Sequence, residues 1–185
     1  MSNINERLDN LKKRIQESDF LEGKGLSNEV NIHIFCYEPK NEMAVRHFIE
    51  QIVGDATLNC HLMECNLFKI FLSICDDMGI TDAIAEMESE NGSQYMLEQL
   101  HSAIGENEFI DKMQFVTQNK GDIMLLTGIG EVFPFMRVHK LLEALQPYFS
   151  DIPILVIYPG EFDGHQLKLF NLLKPNDYYR AFNMI

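Results

Sequence analysis

The chain has no apolar run approaching the ~20 residues that span a bilayer, no Cys-x-x-Cys pair, and not one lysine or arginine between Asp76 and Asp111. Each absence closes a class of function. Without a long apolar run, membrane insertion is not expected. The opening stretch MSNINERLDNLKKRI carries no apolar signal core, so a cytoplasmic protein is expected rather than a secreted one. The four cysteines, Cys36, Cys60, Cys65 and Cys75, lie mostly in apolar runs without paired spacing, which fits reduced thiols. His61, beside Cys60 and Cys65, lacks a second ligand pair at zinc spacing. The stretch without basic residues holds ten acids and carries −10 of the net −13, leaving −3 for the other 149 residues. Such a surface either solvates a helical face or offers a docking face to a basic partner. Either way direct nucleic-acid binding is disfavoured, because phosphates need a basic footprint.

What is present reads as one ordinary globular domain over residues 1–185. That length buries about two-thirds of the unfolded surface, and 46% hydrophobic with 23% charged residues is a typical composition. Ile4, Leu8, Leu11 and Ile15 recur at helical spacing, predicting an amphipathic helix within residues 1–20. In NIHIFCY (31–37), Ile32, Ile34 and Cys36 alternate with His33, Phe35 and Tyr37, which predicts a strand. A helix is expected over 41–53, a strand over 58–66 and a helix over 67–78. The acidic segment, 79–119, reads as an inserted group of two or three helices broken near Gly92 and Gly105. DIMLLTG (122–128) and PILVIYPG (153–160) are continuous apolar strands of the kind buried on both faces of a parallel sheet. A helix is expected from Phe133 to Gln146. HQLKLFNLL fits neither period cleanly, and YYRAFNMI reads as a closing edge strand. Strands alternating with helices imply a parallel-type α/β sheet with right-handed crossovers.

In such a sheet function sits at the carboxyl ends of the strands. The loop TGIGEVFP carries Gly128 and Gly130 ahead of a helix bearing Arg137 and His139, the outline of a phosphate cradle. Phe133, however, stands where a dinucleotide fingerprint needs its third glycine. Glu131 puts a carboxylate where a phosphate would sit, satisfying the helix dipole itself. Pro134, expected near the first helical turn, removes an N–H that could have bound a ligand. The loop is read as a turn. YPGEFDGH carries Glu161, Asp163 and His165, which suit part of a metal site or an acid–base pair. A Pro-Gly turn followed by an Asp-Gly turn needs the same residues for backbone reasons. Gly-Lys-Gly at 23–25 lacks both the preceding strand and the spacing of a Walker motif.

The ordered segments FLEGKGLSNEVNIHIFCYEP, LLTGIGEVFPFMRVHKLLEALQP, PILVIYPGEFDGHQLKLFNLL and YYRAFNMI resemble the BrxB family, a small component of the BREX bacteriophage-exclusion systems. The likeness runs from Asn5 to Ile185 and is densest at LTGIGEVFP, YPGEFDG and YYRAF. It is least characteristic over 80–118. The resemblance implies a three-layer, mostly parallel Rossmann/P-loop-like α/β sheet without a Walker A motif. It also implies an accessory subunit of a defence complex, with other BREX proteins as partners, above all the PglZ-type protein of the alkaline-phosphatase superfamily. It supplies no catalytic residues, and no cofactor or metal is expected.

Three readings of function follow. The first is a non-catalytic binding subunit, with the tail residues Tyr178, Tyr179, Arg180 and Phe182 and the two strand-end loops as interface candidates. The alternative is a small-ligand sensor or enzyme, in which Arg137 holds an anionic group and Glu161 or Asp163 acts as base. The third is a nucleic-acid contact made only within an assembly, through Lys12, Lys13, Arg14 and Arg180.

Overall fold

A computed structural model describes residues 3–23, 31–114, 118–149, 152–178 and 180–185. Four strands, β1 (Ile32–Tyr37), β2 (His61–Asn66), β3 (Asp122–Thr127) and β4 (Ile154–Phe162), run parallel in the order β2-β3-β4-β1. The long β4 turns back into β5 (Gln166–Leu169), which pairs antiparallel with it and with β6 (Asn176–Asp177). The short β7 (Phe182–Asn183) adds to the free edge of β1, as the closing segment predicts.

Helices cover both faces. On one lie α1 (Ile4–Arg14), α2 (Ser18–Leu21) and α3 (Glu42–Val53). On the other lie α4 (Leu67–Asp77), α5 (Thr81–Asn91), α6 (Ser93–Ala103), α7 (Glu106–Met113), α8 (Ile129–Val132) and α9 (Val138–Leu145). The chain steps from β1 past β4 and β3 to β2 through α3, then returns β2 to β3 to β4 through the second set. A right-handed crossover changes face when it changes direction, so the strand order itself assigns helices to the two layers.

The strands show why the sequence ran apolar without alternation. Ile123 and Leu125 of β3 pack with Leu8, Leu11, Val45 and Ile49 on one side, while Met124 and Leu126 pack with Phe71, Leu141 and Leu142 on the other. All six β3 residues are buried. Successive side chains point to opposite faces, so a strand covered on both sides must be apolar throughout.

The acidic segment folds as three helices broken at Gly92 and Gly105, as expected. Gly92 adopts φ +86°, a left-handed conformation that favours glycine. The backbone N–H of Gly105 donates to the Glu108 carboxylate at 2.7 Å. Met96 and Leu100 of α6 and Phe109, Ile110 and Met113 of α7 are buried, whereas α5 buries none of its residues.

Two segments depart from expectation. The helix predicted over 133–146 is interrupted: α8 ends at Val132, Phe133 is extended, and α9 starts only at Val138. Pro134 explains the break, because its ring drives the preceding residue out of helical space. It therefore follows α8, joined to Phe133 by a cis peptide bond, and does not sit in a first turn. HQLKLFNLL resolves into β5 followed by a tight turn with positive φ at Phe170 and Asn171. Among the described residues no helix is long and apolar enough to cross a membrane. The Walker-like lysine at 24 lies outside the described residues.

Candidate functional site at the strand-end crevice

The carboxyl end of β1 leads to a helix on one face, and those of β2 and β3 lead to helices on the other. This reversal opens a crevice of the kind where α/β proteins bind ligands. Here it measures about 190 Å³ and is lined from β1 by Tyr37, from α3 by Glu42 and Arg46, from β2 by Glu64, and by Thr127 and Glu131 at and beyond the end of β3.

The crevice is occupied by the chain's own charges. The buried Tyr37 donates its hydroxyl to Glu42 at 2.5 Å. Burial, reinforced by that carboxylate, pushes the phenol well above the ordinary tyrosine range. Arg46 donates to Glu42 at 2.7 Å and reaches Glu131 at 3.0 Å, bridging α3 to the first turn of α8. Hydrogen bonding to Glu42 holds the guanidinium above its usual pKa, with Glu131 adding to the effect. Thr127 donates to Glu64 at 2.6 Å. A phosphate needs free N–H groups and positive potential at the helix start. It would meet instead an ion pair carrying two carboxylates to one cation.

Gly128 and Gly130 serve this packing. Gly128 holds φ +71°, and a Cβ there would lie 2.6 Å from the side-chain oxygen of Asn66. That oxygen caps α4, accepting from the Lys69 backbone N–H at 3.0 Å. A Cβ on Gly130 would lie 2.9 Å from the Phe170 ring and 3.3 Å from Pro159, so the two predicted strand-end loops touch here. The Gly-Ile-Gly stretch, expected as a turn, is the close-packed start of α8, with Gly128 at its N-cap.

The remaining predicted residues scatter. Arg137 and His139 line a separate cavity beside β4 and β5, and burial lowers the His139 pKa against the opposing pull of Glu143. Asp163 accepts backbone N–H groups from His165 at 2.8 Å and Gln166 at 2.7 Å, so it shapes the β4–β5 turn. Glu161 is exposed on β4 opposite Lys168. None of Glu161, Asp163 and His165 lines either cavity, so the pairing of Arg137 with an acidic base at 161 or 163 is not assembled. Among the described residues no group of three or more His, Cys, Asp or Glu side chains is placed to hold a metal ion.

The tail needs correction. Tyr178 is 1% exposed, and burial pushes its phenol up to about 12. It belongs to the core and is no surface anchor. Arg180 is exposed and donates to Gln146 at 2.9 Å. Tyr179 lies outside the described residues. The basic face of α1 is largely neutralised within the chain: Lys12 pairs with Asp55 at 2.7 Å, and Arg14 pairs with Glu17 and Asp19.

Tyr37, Glu42, Arg46, Asn66, Glu64 and Thr127 were not singled out from the sequence. Each stands alone in its segment, and only the parallel register joins them. The usable signal was position, since five of the six lie at strand ends or on the helices that follow and Glu64 lies two residues before the end of β2.

Together the fold and crevice define a doubly covered, parallel α/β protein of nucleotide-fold shape whose strand-end crevice carries its own ion network. The sequence profile of the family described as "BREX protein BrxB" matches residues 63–184. A Bacillus cereus (strain H3081.97) protein named BREX protein BrxB is 37% identical over 194 aligned positions, covering 100% of this chain and 99% of its relative. An Escherichia coli O9:H4 (strain HS) protein of the same name is 29% identical over 184 positions, covering 97% and 90%. The chain belongs to the BrxB family. No solved structure matches it.

Proposed function

We propose that this chain is a non-catalytic assembly subunit of a BREX complex in the bacterial cytoplasm. Membership of the BrxB family makes it a component of a BREX system and places its role in defence against phage. The observation that most supports an assembly role over catalysis is the Arg46 bridge. It fills the phosphate position of a nucleotide-like fold with Glu42 and Glu131.

The proposed partner is the PglZ-type protein, met by the acidic helices. Asp82, Glu86, Glu90 and Glu98 are exposed on α5 and α6. Within the stretch from Asp76 to Asp111, the ion pair among the described residues is Asp77 with Lys112. An uncompensated acidic face speeds encounter with a basic one and weakens with salt. Co-purification of this chain with the other BREX proteins at low and high salt tests the reading. A stoichiometric complex with the PglZ-type protein that loosens at high salt supports it. Retention that ignores salt removes the acidic face from the interface, and purification alone at both salts removes the assembly role.

A further inference from the structure

The cavity beside β4 and β5, about 260 Å³, has no part in the assembly role. Its walls are apolar, built by Ile129, Phe133, Leu167 and Leu169 among others. The fully charged side chains lining it are Arg137 and Lys174, both cations, in a chain of net charge −13. Among the described residues neither has a hydrogen-bond or ion-pair partner for its side chain. Tyr158 lines the same cavity while only 2% exposed, and among the described residues its hydroxyl has no hydrogen-bond partner either. Its hydroxyl is not one of the fully buried, unpartnered polar atoms, so it remains accessible from the cavity. An apolar enclosure with unengaged donors at its edge and wall is the arrangement of a small-molecule site.

We propose that this cavity binds a small organic acid, an apolar body bearing one carboxylate. Arg137 takes the carboxylate through the planar guanidinium fork, Lys174 adds charge, and the apolar body lies along Phe133, Leu167 and Leu169. The Tyr158 hydroxyl supplies a further donor. At roughly 30 Å³ per water the volume equals about eight or nine waters, which suits a ligand of about ten heavy atoms. A ligand with an apolar body fits better than inorganic phosphate, because Phe133, Leu167 and Leu169 line the cavity beside the two cations.

Octanoate tests this on the full chain, by calorimetric titration into the millimolar range, with 1-octanol and inorganic phosphate run in parallel. Saturable one-to-one octanoate binding is expected, with octanol and phosphate each at least ~10-fold weaker. For octanol the missing charge-assisted hydrogen bonds set the size of that loss, and for phosphate the missing apolar burial does. Arg137→Gln is expected to weaken octanoate about tenfold or more, and Lys174→Gln by a smaller factor. Both positions are exposed, so both variants are expected to fold. Glu161→Gln, away from the cavity, is expected to bind like the unaltered chain. Absence of saturable octanoate binding overturns the proposal. So does equal affinity for octanol, or unchanged octanoate affinity in both cation variants.

Discussion

Replacing Gly128 with alanine tests whether the glycine turn exists for packing. Two costs are visible. At φ +71° an alanine is strained by about 1–2 kcal/mol. Its Cβ would also meet the Asn66 side-chain oxygen at 2.6 Å, a distance real Cβ atoms do not show. Asn66 must then swing away and stop capping α4, a loss of about 1 kcal/mol. The expected total is about 2–3 kcal/mol, read by urea denaturation followed by circular dichroism. Gly79 is the internal control. Its φ of +67° is similar, but nothing lies within 4 Å of the added carbon, so Gly79→Ala should show the strain of about 1–2 kcal/mol alone. In an Asn66→Ala background the clash disappears and the cap is already gone. Gly128→Ala should then cost about 1 kcal/mol less, a coupling large enough for a double-mutant cycle to resolve. Equal costs at Gly128 and Gly79, combined with strict additivity with Asn66→Ala, would refute the reasoning.

Three further outcomes are expected. Burial, with help from the Arg14 charge, lowers the His33 pKa to about 4; the unfolded chain titrates near 6.5 and so binds the extra proton first. Stability from neutral His33 is therefore complete above pH ~6.5 and lost as pH falls toward ~4, by up to about 3 kcal/mol. The difference in stability between the unaltered chain and His33→Gln should change across that window, and a constant difference would count against it. Leu11→Ala should cost about 2–5 kcal/mol in the same denaturation assay, because Leu11 is fully buried and fixes α1 to the sheet. A cost below ~1 kcal/mol would mean that α1 is only loosely attached. Burial raises the Cys36 thiol to about 12 and the Cys65 thiol to about 11. A thiol reagent at pH 8 should therefore leave both unmodified until denaturant is added. Rapid native modification of Cys65, which is buried, or of the half-buried Cys36 would contradict this.

Much of the fold was legible because the strands announce themselves. DIMLLT and PILVIYPG are apolar without alternation, and doubly covered strands demand that. The breaks at Gly92 and Gly105 were readable for equally local reasons. The helix after Gly130 was misread because Val138, Leu141, Leu142 and Leu145 form a sound helical stripe whose beginning is hidden, and Pro134 was assigned to a first turn it actually follows. Tyr178 looked like an interface anchor because nothing local shows that α9 covers it. The crevice was the least legible feature. Glu42, Glu64 and Glu131 sit in three separated segments, and their meeting depends on β1, β2 and β3 ending at the same edge of the sheet, with β4 between β1 and β3. Arg137 was found from sequence, but its setting was not, since Tyr158 and Lys174 reach the same cavity only through the β4–β5–β6 turnback.

We propose that this BrxB-family chain acts by binding a protein partner rather than by chemistry in its strand-end crevice. The most direct measurement is the mass of the purified chain mixed with the PglZ-type protein, by size-exclusion chromatography with light scattering at low salt. A single species with the summed mass of both chains is expected, unaffected by Arg46→Gln and weakened by neutralising Asp82, Glu86, Glu90 and Glu98 together. Two separate peaks at every concentration would contradict it.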